Sequence, residues 1–97
     1  MKSILIIFNQ AHTEKVEFLL DRLEVRGFSQ MNEVYGRGSK DGNPHMGTHT
    51  WPEQNNAVFT VVEDDKVEQI LQGVKKIDAI NTDVGIRAFV WSVEQSV

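Results

Sequence analysis

Ninety-seven residues with 40% hydrophobic and 25% charged side chains form one globular domain around one small core. Lys and Arg total 10 against 14 Asp and Glu, a net charge of -4, and no basic run exceeds two residues. That excludes the basic stripe a nucleic-acid binder needs, and the absence of Cys excludes disulfides, thiolate metal sites and a thiol nucleophile.

The opening run Ile4 to Phe8 is apolar and β-branched and predicts a strand buried on both faces. It breaks at Asn9, too short for the ~7–15 apolar residues of a secretory h-region, and no stretch nears the ~18 of a membrane span. A soluble, cytoplasmic chain is expected. Val16, Leu19, Leu20 and Leu23 then fall at helical spacing, with Thr13 as the expected N-cap, His12 exposed or capping, and Gly27 as the left-handed stop. Phe28 to Gly38 predicts a strand, bulged because its alternation is broken. Residues 39–55 carry no periodicity and are punctuated by Gly42, Pro44, Gly47 and Pro52, a long loop of the kind usually kept for function.

Asn56 to Glu63 alternates as a strand. Asp65 with Glu68 has the spacing of a capping box, Val67, Ile70, Leu71 and Val74 form the second helical stripe, and Lys75 and Lys76 suit its last turn. Asp78 to Asp83 is expected to connect that helix to a final strand over Gly85 to Val93. The order βαββαβ with right-handed crossovers gives an α+β, ferredoxin-like fold: a four-stranded antiparallel sheet with both helices on one face.

A sheet with helices on one side only should show water a polar second face. Here Leu5 and Ile7 back Ile4 and Ile6, Phe59 and Val61 back Val58 and Val62, and Phe89, Trp91 and Val93 back Ile86, Ala88 and Val90. Two apolar faces predict a homo-oligomer built on the uncovered one.

Gly27-Phe28-Ser29-Gln30-Met31-Asn32-Glu33-Val34-Tyr35-Gly36-Arg37-Gly38 resembles the second-strand signature of the PII signalling proteins, the GlnB-like superfamily. The Ile-rich first strand, the second-helix entry Glu63 to Ile70 and the closing Phe89-Val90-Trp91-Ser92-Val93-Glu94 resemble the same family in the same order. The resemblance implies a single domain over 1–97 with a T-loop-like segment at 36–56. It implies a homotrimer with adenine nucleotides in the clefts between subunits, and a T-loop that docks on a target protein in nitrogen regulation and related signalling. Two departures stand out. Where PII proteins cradle phosphate on a glycine-rich basic turn, this chain has Asn81-Thr82-Asp83-Val84-Gly85, which predicts weak ATP affinity. The modifiable loop Tyr has no counterpart, since Tyr35 precedes the loop.

Candidate site residues cluster around that loop. Gly36, Arg37, Gly38 and Lys40 have the makings of an anion-binding nest, or of a plain strand end and turn, and Arg87 is a further phosphate partner or a cross-sheet ion pair. His45 and His49 are candidate metal ligands, or incidental loop imidazoles. Trp51 is a large apolar group in a polar loop, suited to packing on a neighbouring subunit or on a partner. No Gly-x-Ser-x-Gly elbow or carboxylate–His cluster suggests hydrolysis, and no motif names a cofactor. Three readings result: a PII-like ligand-sensing regulator that is not an enzyme, a metal-binding PII-like or CutA-like protein using the loop His, and a small ferredoxin-like monooxygenase-type enzyme. Subunit number separates them, three for the first two and two for the last.

Overall fold

The computed structural model describes residues 1–37, 44–45 and 54–97. Its elements are β1 (Lys2–Asn9), a 3₁₀ turn (Gln10–His12), α1 (Thr13–Arg22), β2 (Phe28–Val34), β3 (Gly36–Arg37), β4 (Pro44–His45), β5 (Asn55–Val62), α2 (Asp64–Ile80) and β6 (Ile86–Ser92). The four long strands form one antiparallel sheet in the order β2-β5-β1-β6. This is the ferredoxin-like βαββαβ arrangement expected from the pattern.

Apolar residues two apart on the strands meet apolar residues three and four apart on the helices. Ile4, Ile6 and Phe8 of β1, Val58 and Val62 of β5 and Ile86 of β6 form one wall of the core. Val16, Leu19 and Leu20 of α1 and Ile70, Val74 and Ile77 of α2 form the other. Thr60 sits buried on that same sheet face, and its hydroxyl donates to the Gly27 carbonyl at 2.6 Å, so its polar group is satisfied where it would otherwise be costly.

Several boundaries differ from the sequence expectation, each for a local reason. Thr13 does not cap α1. Asn9 accepts from the Ala11 amide at 2.8 Å and starts a 3₁₀ turn that runs straight into the helix, leaving Thr13 as the first α-helical residue with its hydroxyl on Gln10 O. Nor does Gly27 stop the helix. Glu24 takes the left-handed conformation, φ 60, while Glu24 N bonds Asp21 O and Val25 N bonds Leu20 O. This is a Schellman ending, and it turns Val25 back into the core beside Leu20.

α2 begins one residue before Asp65, on an extended Glu63 with no side-chain cap, so the expected capping box does not form. It also runs through Asp78 to Ile80, because Ile77 continues the buried stripe. Lys75 and Lys76 therefore lie a turn short of its end, and no basic residue occupies the last turn. Lys66 instead donates to the Leu23 carbonyl and ties the start of α2 to the end of α1. The strand over 28–38 ends at Val34 and carries the expected irregularity, a register shift between Met31 and Val34 with Glu33 at φ 61. Asn55 belongs to β5 rather than to the loop, and β5 ends at Val62, one residue before the expected Glu63.

Candidate functional site

β2 and β5 are joined by the long segment, so the segment leaves and re-enters at one end of the sheet, where β1 also ends and β6 begins. The described part of the segment is a short ladder in which Gly36 faces His45 and Arg37 faces Pro44. A polar network anchors this end. Asn56 Nδ2 donates to Thr13 Oγ1 at 3.0 Å, and Asn56 Oδ1 accepts from the Glu33 amide at 3.3 Å. The Gln10 amide bonds Gln54 O at 2.8 Å, and the Asn9 amide bonds Gly85 O at 2.9 Å.

His12 is part of this end and not an exposed residue. It is 2% exposed, and Nε2 lies 3.1 Å from Val84 O. A carbonyl only accepts, so Nε2 carries a proton, and Nδ1 is buried with no partner among the described residues. Beside the network, Gln10, Thr13, Gln30, Asn32, Glu33 and Asn56 border an open polar hollow of about 630 Å³. Single-residue reasoning missed this cluster. Its sequence trace is the bunching of carboxamides at three strand ends: Asn9-Gln10, Gln30 with Asn32, and Gln54-Asn55-Asn56.

The second sheet face is as apolar as expected. Leu5 pairs with Phe59 on one side and Phe89 on the other, and Ser3 pairs with Val61 and Trp91. Phe59, Val61, Phe89 and Trp91 are 36, 38, 51 and 47% exposed, and the Phe59 and Trp91 rings meet at 6.1 Å with a 44° tilt. No element among the described residues covers them, since both helices pack on the opposite face.

Arg87 is exposed on this second face, opposite Ile7, at the loop-bearing end. The row across the sheet there reads Met31, Ala57, Ile7, Arg87. Arg87 is on one edge strand and the Gly36–Arg37 step follows the other. Three inter-strand spacings of about 4.8 Å put at least ~14 Å between the two edges. The strand order therefore sets Arg87 and the Gly36–Arg37 backbone at opposite edges of the sheet. Gly38, Lys40, His49 and Trp51 lie outside the described residues, and for His45 the backbone pairing alone is defined. Among the described residues no group of three or more His, Asp or Glu is placed to hold a metal.

The turn before β6 is closed on itself. Asp83 N donates to Asn81 Oδ1 at 3.1 Å and Val84 N to Asn81 O at 3.1 Å, so two amides that could face an anion are already engaged. Asp83 is exposed beside them.

The family model described as nitrogen regulatory protein P-II matches residues 1–97. The chain belongs to that family. Its fold is shared by CPII from Thiomonas intermedia K12 in a structure bound to ADP and bicarbonate, with 22% identity, TM-score 0.71 and coverage of 97% of this chain and 88% of that one. A second CPII structure, bound to ADP, AMP and bicarbonate, gives TM-score 0.72 at 22% identity, covering 92% and 86%. A PII-like signalling protein from Thermus thermophilus gives TM-score 0.64 at 19% identity, covering 93% and 83%. Comparison with curated proteins gives no match. Among the described residues, no helix is long and apolar enough to cross a membrane.

Proposed function

We propose that this P-II family chain is a cytoplasmic, homotrimeric regulatory protein rather than an enzyme. It senses a small ligand in clefts between subunits and signals to a target protein through segment 36–56. The uncovered apolar sheet face carries this reading. Burying Phe59, Val61, Phe89 and Trp91 against other copies removes a large apolar patch from water, at ~25 cal/mol per Å². The same assembly solves the problem of the divided site. Gly36, Arg37, Gly38 and Lys40 of one subunit and Arg87 of its neighbour would meet at the cleft where edge strands adjoin.

An adenine nucleotide is the ligand class in best accord with this. CPII shares the fold and is described bound to ADP, AMP and bicarbonate. The Asn81–Gly85 turn argues for few phosphates, since its amides are engaged internally and Asp83 adds negative charge. Binding in the cleft would act on segment 36–56 through Glu33, Gln54 and Asn56, which the polar network ties to the start of α1. Calorimetry with AMP, ADP and Mg-ATP tests the ligand: AMP or ADP binds, ATP binds no more tightly than ADP, and Arg87→Gln weakens whichever binds. Tight Mg-ATP binding untouched by Arg87→Gln would contradict this reading of the site.

A further inference from the structure

The helix layer carries a second apolar surface, on the opposite side from the sheet face and independent of the assembly proposed above. Phe18 of α1 and Ile80 of α2 are each 66% exposed, more than any aromatic or aliphatic residue on the sheet face. They flank a groove of about 490 Å³ between the two helices, with Leu19, Gly73 and Ile77 along its floor. Gly73 sets how closely the helices approach, because a Cβ there would overlap the Leu19 side chain. Lys15, Arg22 and Lys76 stand around the groove with Glu14 as the one carboxylate among its described lining residues. This is a locally basic rim on a chain whose net charge is -4.

We infer that this groove docks an acidic amphipathic helix of a partner protein. A trough between two packed helices is a natural seat for a third, whose side-chain ridges fit it. Apolar anchors at i, i+3 or i+4 and i+7 fill the floor between Phe18 and Ile80, as helix-in-groove recognition requires. Carboxylates flanking those anchors complement Lys15, Arg22 and Lys76 and steer the approach. A second copy of this chain is the wrong occupant, since groove against groove sets the three cations of one copy against those of the other.

Two synthetic helical peptides with the same Leu and Phe anchors, one flanked by Glu and one by Lys, test this by fluorescence anisotropy with the full chain. The Glu peptide binds at least about tenfold more tightly than the Lys peptide. Phe18→Ser with Ile80→Ser abolishes binding, and because both side chains are largely exposed the thermal transition is retained. Arg22→Glu with Lys76→Glu reverses the peptide preference. Equal affinity for the two peptides, or binding indifferent to the double Ser variant, overturns the proposal. So does groove-dependent binding to phosphatidylserine vesicles in place of the Glu peptide, which would make the occupant a membrane surface. A fall in particle mass by light scattering on Phe18→Ser would overturn it too, by assigning the groove to a second copy.

Discussion

The two faces of the sheet are built from the same kinds of residue and end in different surroundings. Ile4, Ile6, Phe8, Val58 and Val62 are all under 9% exposed beneath α1 and α2. Phe59, Val61, Phe89 and Trp91, at alternate positions along the strands, are 36–51% exposed. The period of two distributes apolar side chains to both faces, but among the described residues helices cover only one. The inner face is thus satisfied by folding, and the outer face stays exposed on the single chain.

That contrast is sharpest in how each face answers truncation. Leu20→Ala leaves a cavity beneath the inner face and should cost about 3–4 kcal/mol, measured by urea unfolding, by an amount that does not depend on protein concentration. Trp91→Glu puts a charge into the outer face. It should dissociate the assembly in sedimentation experiments and lower the melting temperature in a concentration-dependent way. A monomer-like Trp91→Glu variant with unchanged melting at all concentrations would erase the distinction between the faces.

Two smaller effects lie at the margins of the faces. Zinc titration followed by the melting temperature tests the candidate ligands His45 and His49, and an unchanged melting temperature favours a nucleotide or protein ligand. A zinc-induced rise abolished by His45→Ala with His49→Ala would instead give the loop His the ligand role. On the inner side, Glu24 holds a left-handed conformation only to return Val25 to the core. Glu24→Gly should therefore stabilise the fold by about 0.5–1 kcal/mol, and a loss of stability would mean the Glu24 side chain does something beyond the turn.

What could be read from the residues was whatever repeats. The helical stripes of Val16, Leu19 and Leu20 and of Ile70 and Val74, and the alternation along Asn56 to Val62, mark the elements and the fold. The broken alternation at Met31, Val34 and Tyr35 marks the bulge. Period two from Phe89 and Trp91 also places Arg87 on the outer face. What could not be read depends on contacts distant in the chain. The end of α1 is fixed by Val25 seeking the core, which favours Glu24 over the more permissive Gly27. His12 is buried because Val84, 72 residues on, offers its carbonyl. The candidate ligand set is legible as residue types, yet its division between opposite sheet edges appears only with the strand order β2-β5-β1-β6.

Other copies of the chain are expected to cover the outer sheet face. Sedimentation equilibrium of the unaltered protein at roughly micromolar concentration tests this most directly. The account predicts a single species of three times the 11.0 kDa subunit mass. A stable monomer with Phe59, Phe89 and Trp91 left in water would contradict it, and a dimer would return the monooxygenase-type arrangement to consideration.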